Sequence, residues 1–321
     1  MASRRIVVVG SYATGLTMRV DRLPSFGETV LGKGYRIDFG GKGSNQAVAC
    51  ARLGAPVSFV AKIGQDHFGE MALGLYREER ISVDSIIQAA EEPTGVGFII
   101  VDSDGNNCIT IDPGANDFLT AGEVSQHLNT LTSETIVMTQ LEIPVRAAGE
   151  AMAQGRKKES LTIMNPAPVR RLPQSVLQSV DILTPNQSEA KVLTGRNPDA
   201  EIEPEQLAQE LIRSGVKSVV MTLGEKGALL VTTESAVYIP AIKFPAVDTT
   251  GAGDAFNAGL AVAMSNDASL EDAVRFAVVT GGLAVTREGV VPSLPTRNEV
   301  LQFYRGEGHT PPDWLVEGPD E

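Results

Sequence analysis

The sequence predicts a doubly wound α/β fold, with a mostly parallel sheet covered by helices on both faces. Short apolar runs such as "IVVVG", "VSFVAKIG" and "KSVVMTLG" alternate with Ala-rich amphipathic segments such as "NQAVACARLG". Continuous Val, Ile and Leu runs followed by helical segments are typical of βαβ units around a buried parallel sheet. The chain has 321 residues, which is enough for one large α/β domain or two smaller ones.

The chain opens with a predicted buried strand rather than a targeting segment. The stretch "MASRRIVVVG" superficially resembles the start of a signal peptide, but its apolar run is short, ends in glycine and lacks a small-residue cleavage site. No stretch approaches the roughly 18 apolar residues that indicate a membrane-spanning helix. We therefore expect no membrane partner.

The charge balance and the cysteine content exclude several classes of protein. The chain has 27 Lys and Arg residues against 40 Asp and Glu residues, a net charge of −13, and no basic block. A nucleic-acid partner is therefore not expected. Cys50 and Cys108 are the only cysteines, which disfavours a disulfide framework and fits a cytoplasmic protein. The histidines His67, His127 and His309 lack metal-ligand spacing.

Two segments interrupt the α/β pattern. Residues 13–40 and 94–112 carry turn signals and strand-like alternation, and the second contains the hairpin sequence "VDSDGNNC". They predict a small antiparallel sheet at one edge of the core. Such a sheet could be a lid that excludes water from a site, or an ordinary edge sheet or dimer contact.

The rest of the chain divides into a core and a tail. The C-terminal stretch is rich in Pro, Gly and acidic residues, so we expect it to be loosely ordered, with Trp314 docking on the surface. The predicted division is a core of 1–12, 41–93 and 113–304, a β-lid of 13–40 and 94–112, and a tail of 305–321.

A first glycine cluster precedes a predicted helix. In "GGKGSNQAVACARLG", a turn with bare backbone and one cation, Lys42, leads into apolar helical sequence. The Walker pattern fails because Gly43 follows Lys42, and the dinucleotide pattern fails at Gly251 because its sixth position is Phe256. Lys42 could equally be a solvated surface lysine.

Polar residues follow three predicted strands, in "TQLE", "NPAP" and "TPNQSE". Ligands of open α/β sheets bind beyond the carboxyl ends of the strands. Glu142 could therefore bind a sugar hydroxyl or a metal-bound water. Asn186 and Glu189 could act in the same way, or they could form a capping box at the start of a helix.

A second glycine cluster, in "VDTTGAGDAFNAGL", lies where a loop becomes a helix. The free N–H groups at Gly251, Ala252 and Gly253 predict an anion site, typically for phosphate. Asp254 would repel a bound phosphate unless it removes a proton from a hydroxyl that attacks that phosphate. The alternative is that Asp254 only caps the helix.

These motifs together resemble those of the ribokinase (PfkB) family of sugar kinases. The resemblance covers residues 5–303 and includes "GGKGSNQAVACARLGA", "NPAP", "TPNQSEAKVLTG", "VDTTGAGDAFNAGL" and "AVTREGVVPSLP". It implies transfer of the γ-phosphate of ATP to a sugar hydroxymethyl group. It also implies a three-layer α/β core with a β-lid that often forms a homodimer contact.

The resemblance also implies a role for individual residues. Asp254 matches the catalytic base, and the amides of Gly251, Ala252 and Gly253 match the anion hole. Asn186 and Glu189 match the residues that help hold Mg²⁺ and the phosphates. Thr222 and Gly224 match the nucleotide side, and the sugar side is matched by Gly41, Lys42, Asn45 and Glu142. The cage of an activating monovalent cation, usually K⁺, is matched by Asp248, Thr250, Ala284, Arg287, Gly289 and Ser293.

One part of the sugar pocket departs from the family pattern. Ribokinases usually have an Asn and an Asp where this chain has Ala13 and Gly15, and neither replacement can bind a sugar hydroxyl through its side chain. Thr14, Thr17, Arg19 or Asp21 could compensate. The acceptor could therefore be ribose, another pentose, a ketose, a nucleoside or a sugar phosphate. A sugar phosphate would need lid cations, for which the candidates are Arg19, Arg22, Lys33 and Arg36.

Two functional hypotheses outside the kinase class are less favoured. A non-catalytic sugar or nucleotide sensor would have no need of the base Asp254. An NAD-dependent oxidoreductase is disfavoured because the dinucleotide fingerprint fails.

Overall fold

The structure, a computed structural model, describes residues 3–316 and contains two β-sheets with helices packed around the larger one. The strands are β1 (Arg5–Val9), β2 (Ala13–Val20), β3 (Gly32–Gly40), β4 (Val57–Gly64), β5 (Ile86–Ala89), β6 (Val96–Val101), β7 (Asn107–Asp112), β8 (Thr135–Thr139), β9 (Leu161–Met164), β10 (Ile182–Leu183), β11 (Ser218–Thr222), β12 (Ala228–Val231) and β13 (Ala236–Ile239). The helices are α1 (Lys42–Arg52), α2 (His67–Glu78), α3 (Ala121–His127), α4 (Val145–Lys157), α5 (Gln174–Leu177), α6 (Gln187–Leu193), α7 (Pro204–Arg213), α8 (Ala252–Ser265), α9 (Leu270–Ala284), α10 (Arg297–Gly306) and α11 (Asp313–Val316).

The larger sheet has the order β13-β12-β11-β10-β9-β8-β1-β4-β5. Neighbouring strands from β11 to β5 run parallel, and β12 and β13 add an antiparallel edge. Central β1 has Val8 paired with Phe59 of β4 on one side and with Met138 of β8 on the other. The predicted doubly wound, mostly parallel sheet is confirmed.

Alternate side chains of β1 enter two separate apolar cores, one on each face of the sheet. Ile6 and Val8 pack with residues of α1, α2, α8, α9 and α10, whereas Val7 and Val9 pack with residues of α3, α4, α6 and α7. Each fully buried Val, Ile or Leu side chain contributes about 1.5–3 kcal/mol to folding. A sheet that is apolar on both faces therefore requires helices on both, which produces the three layers.

Helix α8 is the most enclosed helix of the site. It packs against α1 and α9, and residues Ala255 to Ala263 are all buried. A helix that is apolar all round is stable only in a core, and this packing fixes the position of its N-terminus. Within residues 3–316, no helix combines the length and the apolar character needed to cross a bilayer.

The smaller sheet has the order β3-β2-β6-β7 and is built from the two predicted lid segments. The pairs β2/β3 and β6/β7 are antiparallel, as expected, but the central pair β2/β6 is parallel. The expectation of an antiparallel sheet is therefore wrong for this central pair. The two hairpins are separated by α1, β4, α2 and β5, so β2 and β6 both start at the core and leave it in the same direction. The turn at 102–106 joins β6 to β7, with the Asp102 carboxylate accepting from the Asn106 amide N–H at 2.8 Å.

The tail is ordered as far as the structure describes it, which corrects the expectation of a loose tail. Leu315 is fully buried, and the Trp314 ring packs edge-on against Phe276 with centroids 4.9 Å apart. Arg297 of α10 donates to the carbonyl oxygens of Trp314 and Leu315 at 3.1 and 2.8 Å. The polar composition of the tail gave the wrong prediction because two apolar side chains are enough to anchor a polar segment. The docking of Trp314 is confirmed, and residues 317–321 lie outside the described part.

Candidate active site

The candidate site lies where the carboxyl ends of neighbouring strands meet the N-termini of α1 and α8. Polar residues follow four strands that are adjacent in the sheet: Ser11 follows β1, Gln140 follows β8, Asn165 follows β9 and Thr184 follows β10. Each of these side chains is buried. Parallel strands end at one edge, so the sheet gathers polar groups that are distant in sequence.

Glu142 is held against the first turn of α1. Its Oε2 accepts from the Lys42 backbone N–H at 2.8 Å and from the Ser11 hydroxyl at 2.6 Å. Gly41, which precedes the helix, has φ +88°, and a Cβ there would lie 2.7 Å from the Cα of Tyr12. Only glycine permits this backbone conformation so close to another chain segment. The first glycine cluster thus brings Lys42 and Glu142 together.

Asp254 lies in the first turn of α8 but does not cap the helix. The residue before the helix is Gly251, with φ +84° and no side-chain cap. The carboxylate of Asp254 is buried and accepts from Asn45 Nδ2 at 2.8 Å and from Gln46 Nε2 at 3.0 Å. The capping alternative is therefore wrong, because both oxygens of Asp254 point toward α1.

Amide side chains extend this contact into a network that the sequence did not reveal. Gln46 Oε1 accepts from Gln140 Nε2 at 2.5 Å, and Gln46 Nε2 also donates to Asn165 Oδ1 at 3.3 Å. Asn165 donates to the carbonyl oxygen of Thr184 at 3.1 Å. The available signal was the Asn-Gln pair directly after a glycine-rich turn, together with single amides at the ends of two strands.

The network continues to the second glycine cluster. The Thr184 hydroxyl donates to Asn257 Oδ1 at 2.6 Å, and Asn257 Nδ2 donates to the carbonyl oxygen of Gly253 at 2.8 Å. The amide network therefore contacts both the carboxylate of Asp254 and the backbone of the predicted anion hole. Asn45 Oδ1 and Gln140 Oε1 are buried in this network without a hydrogen-bond partner, while the other bonds hold its members in place.

The electrostatics of the site suit a proton acceptor beside a cation. Burial raises the pKa of Asp254 above its ordinary value, against the opposing effects of Lys42 and of the Asn45 and Gln46 amides. Burial lowers the pKa of Lys42, but the charges of Asp254, Glu142 and Glu189 outweigh it and leave that pKa raised. Lys42 is therefore a partly buried charged group under the influence of three carboxylates, and the solvated-surface alternative is not supported.

Asn186 and Glu189 form the capping box that the sequence left open. Asn186 Oδ1 accepts from the Glu189 N–H at 2.8 Å, and Glu189 Oε2 accepts from the Asn186 N–H at 2.8 Å. Burial raises the pKa of Glu189, opposed by the Asn186 N–H and by Lys42. Thr222 forms a single parallel bridge with Asn186, and Gly224 follows it with φ +61°. The predicted nucleotide-side residues thus adjoin one another.

The predicted cation positions lie on two loops that are in contact. Asp248 Oδ1 accepts from the N–H and hydroxyl of Thr250 at 2.9 and 2.7 Å, and its Oδ2 accepts from the Gly289 N–H at 3.1 Å. Arg287 donates to the carbonyl oxygen of Ser293 at 3.3 Å. Ala284 is buried at the end of α9, immediately before the second loop.

The Asp248 carboxylate is suited to a cation. Burial alone would raise the pKa of Asp248, but the hydrogen bonds from Thr250 and Gly289, with the charge of Arg36, hold it below its ordinary value. Within residues 3–316, no cluster of three or more His, Cys, Asp or Glu side chains is arranged to hold a metal ion. Any cation at these loops would therefore depend on carbonyl and hydroxyl oxygens besides Asp248.

Comparison with known proteins gives the family of this chain. The sequence profile of the pfkB family carbohydrate kinases matches residues 3–297. The chain belongs to this family and is a carbohydrate kinase.

Relatives of similar length include sugar kinases of more than one specificity. The chain is 35% identical to ribokinase from Haemophilus influenzae, over 94% of this chain and 98% of the relative. It is 32% identical to deoxyribokinase from Salmonella typhi, over 93% and 98%. It is also similar to a solved structure of ribokinase from Arabidopsis thaliana complexed with ribose and ATP, with 32% identity, a TM-score of 0.85, and 94% and 98% coverage.

Proposed function

We propose that this kinase transfers the γ-phosphate of ATP to a hydroxymethyl group of a small free sugar, with Asp254 as the general base. The observation that carries the proposal is the buried Asp254 carboxylate at the N-terminus of α8, held by the Asn45 and Gln46 amides. The Arabidopsis relative, described as complexed with ribose and ATP, supports the same pair of substrates. A sensor would not need a buried, oriented carboxylate at that place.

In the proposed reaction, Asp254 accepts the proton of the sugar hydroxyl while the hydroxyl oxygen forms a bond to the γ-phosphorus. The bond between this phosphorus and the β,γ-bridging oxygen breaks, and ADP leaves with that oxygen. The raised pKa of Asp254 favours proton transfer from an alcohol. The backbone N–H groups of Gly251 and Gly253 would stabilise the negative charge of the transferred group, and that of Ala252 would do so in place of its 3.3 Å hydrogen bond to the carbonyl oxygen of Thr249.

Lys42 and the sugar-side residues would place the acceptor. Lys42 is partly buried, and the charges of Asp254 and Glu142 act on it, so its own charge would be screened less by water than that of an exposed lysine. We assign Gly41, Lys42, Asn45 and Glu142 to the acceptor side. Asn186, Glu189, Thr222 and Gly224 are assigned to the nucleotide side.

The residues present fit a magnesium ion bound mainly through phosphates and water. Mg²⁺ usually keeps several waters and takes only one or two protein carboxylates, and Glu189 is a half-buried carboxylate on the nucleotide side. We propose that Glu189, with Asn186, would hold the ion through water. The ion would supply charge neutralisation of the phosphates.

We also propose that K⁺ activates the enzyme from the loops at 248–250 and 284–293. The ionised Asp248 joins these loops through Thr250 and Gly289, and the second loop packs on the residue before α8. Replacing K⁺ by Na⁺ is expected to lower kcat several-fold, because a smaller ion would change the loops that shape the anion hole. Steady-state assays at constant ionic strength measure this, with Cs⁺ as a larger-ion control. An unchanged kcat would remove the cation from the mechanism.

We propose that residues 13–40 and 94–112 act as a lid and as the contact of a homodimer. Large apolar side chains are exposed on both faces of this sheet: Ile37 at 39% and Phe98 at 55%, which both lie beside Leu16 on one face, and Ile111 at 65% on the other. Exposed apolar side chains on adjacent strands indicate an association surface. We expect sedimentation equilibrium to give twice the mass of 34.0 kDa, and Phe98→Asp to shift the protein to monomer. A monomeric unmodified protein would contradict the dimer.

We also propose that the protein is cytoplasmic, because ATP is available in the cytoplasm.

The deciding experiment measures ADP release with ATP, Mg²⁺ and K⁺ across ribose, 2-deoxyribose, other pentoses, ketoses, polyols and nucleosides. We expect strong turnover on one free sugar and weak turnover on nucleosides. Product analysis by phosphorus NMR then identifies the phosphorylated carbon. Absence of turnover across the panel, together with measurable sugar binding, would favour a sensor instead.

A further inference from the structure

One face of the lid sheet is turned toward the candidate site. Side chains alternate along a strand, so Ala13, Gly15, Thr17 and Arg19 of β2 share a face. Arg19 forms an ion pair with Glu288, which lies in the loop after α9. The face that carries Gly15 is therefore the face directed at the core.

The loop that contains Glu288 also borders the anion hole. Its next residue, Gly289, donates to Asp248, and Val290 packs so closely on Gly251 that a Cβ at Gly251 would lie 2.9 Å from Val290 Cγ1. Along the lid, Gly40 pairs with Ala13 and leads directly into Gly41, which precedes α1. Gly15 lies two residues beyond Ala13 along β2, so the two residues are about 7 Å apart. That spacing matches the length of a small sugar.

Of the four candidates for compensating the missing side chain at Gly15, Thr14 and Asp21 are engaged elsewhere, whereas Thr17 and Arg19 share its face. Thr14 is fully buried with its hydroxyl 3.0 Å from that of Tyr12, on the opposite face of the sheet. Asp21 is highly exposed and lies 3.6 Å from Lys33. Neither can reach a sugar in front of Gly15.

The residue opposite Gly15 carries a carboxylate. In the β2/β3 register Gly15 pairs with Asp38, so their side-chain positions lie on the same face. A Cβ built on Gly15 would lie 3.7 Å from the Cβ of Asp38, in ordinary van der Waals contact. The Asp38 side chain therefore starts beside the position that Gly15 leaves vacant, and its Oδ2 accepts from Arg36 Nε at 2.6 Å.

We infer that Asp38 of β3 is a specificity-determining residue that binds hydroxyls of the acceptor sugar, in place of a carboxylate on β2. This rests on the proposed function. Arg36, two residues away on the same face, fixes the orientation of the carboxylate and leaves Oδ1 for hydroxyl donors. A charged acceptor of this kind binds a hydroxyl more strongly than a neutral one.

The charges on this face favour a neutral sugar over a sugar phosphate. Arg19 and Arg36 lie on the face directed at the core, and both contact Glu288. Lys33 is paired with Arg19 in the β2/β3 register and so shares this face, where it lies 3.6 Å from Asp21. Three positive groups are thus balanced by three negative groups, Asp38, Glu288 and Asp21, and Arg22 pairs with Glu28. The lid therefore offers no free positive charge to a second phosphate.

The test is steady-state kinetics of Asp38→Ala with the best acceptor sugar and with its monodeoxy analogues. We expect the KM for the sugar to rise about ten- to a hundredfold, with the KM for ATP and the thermal midpoint unchanged. For unmodified protein, one deoxy analogue should show a comparable rise in KM. In Asp38→Ala the parent sugar and that analogue should become equivalent, because the carboxylate that distinguishes them is gone.

Two further variants separate binding from a structural role. The exchange variant Gly15→Asp with Asp38→Ala moves the carboxylate back to β2, where the surrounding space accepts a Cβ, and should restore the sugar KM to within about threefold of the unmodified value. Glu28→Ala, which removes another acid that is paired with an arginine of the lid, should change no kinetic constant.

Two results would overturn the inference while leaving the proposed function intact. One is an Asp38→Ala enzyme whose sugar KM stays within twofold of the unmodified value. The other is an equal rise in KM for the parent sugar and every deoxy analogue, which would indicate that Asp38 only orders the lid. Inactivity of unmodified protein on every sugar would instead overturn the proposed function, and this inference with it.

Discussion

Asp254→Asn is expected to lower kcat by about 10²- to 10⁴-fold, the range that general-base catalysis contributes. The substitution keeps the shape of the side chain and removes its ability to accept a proton. Binding of ATP should persist, because the backbone N–H groups of the neighbouring helix turn are unchanged. Isothermal titration with a non-hydrolysable ATP analogue and single-turnover kinetics measure the two properties separately.

The same variant is expected to fold normally. Both carboxylate oxygens of Asp254 accept hydrogen bonds from the side-chain amides of Asn45 and Gln46. The NH₂ group of an Asn at position 254 would therefore face one of these N–H donors instead of accepting from it. Asn45 Oδ1, however, is buried without a hydrogen-bond partner, and a flip of the Asn45 amide would let it accept from the new group. Because burial raises the pKa of Asp254, its charge lowers stability at pH values above that pKa. We therefore expect the thermal midpoint at neutral pH to be unchanged or higher.

The pH dependence follows from the same pKa. Asp254 must be ionised to accept a proton, so kcat/KM should fall as the pH decreases through its raised pKa. In Asp254→Asn this acidic limb should disappear from the residual activity. Asp272→Asn is the matched control, since Asp272 lies in the first turn of the neighbouring helix α9 and is bonded to its cap residue Ser269. Near-normal kcat in Asp254→Asn would exclude Asp254 as the base.

Gly253→Ala is expected to lower kcat/KM for ATP by about 10²-fold, a loss typical of displacing a reacting group by about 1 Å. A Cβ at Gly253 meets no protein atom within 4 Å, so the methyl group projects into open space at the anion hole. Here the phosphoryl group has to approach the backbone closely. Alanine is a better helix residue than glycine, so stability should be maintained or improved.

Gly74→Ala is the matched control for this substitution. Gly74 lies within α2, and a Cβ there also meets nothing within 4 Å. Both variants should therefore show equal or slightly raised thermal midpoints, and only Gly253→Ala should lose activity. Full activity in Gly253→Ala would show that the transferred phosphate does not contact this turn.

The sequence was informative wherever structure depends on neighbours along the chain. Apolar runs and Ala-rich segments predicted the doubly wound sheet, since each pattern reflects the burial of one local element. Gly251 and Gly253 before an apolar helix predicted an exposed helix N-terminus, and the structure has α8 beginning at Ala252. The resemblance in these motifs also predicted the family, which the profile match confirms.

Local patterns failed where two interpretations share the same residues. Asn186 and Glu189 fit both a capping box and a ligand site, and only the tertiary structure shows the reciprocal hydrogen bonds. For Asp254 the pattern allowed a cap, whereas the structure directs its carboxylate to α1. The polar tail composition concealed the burial of Leu315. In each case the missing information was the position of a partner that is distant in sequence.

The sequence by itself therefore determined the fold class, the family and the positions of the two glycine turns, because these depend on short-range periodicity and backbone freedom. Only the tertiary structure decided which groups hold Asp254, since Asn45 and Gln46 reach it from more than 200 residues away. The tertiary structure also shows that β2 and β6 are parallel and that Asp38 lies opposite Gly15. Strand register and helix packing are set by the whole core, so no local pattern could specify these contacts.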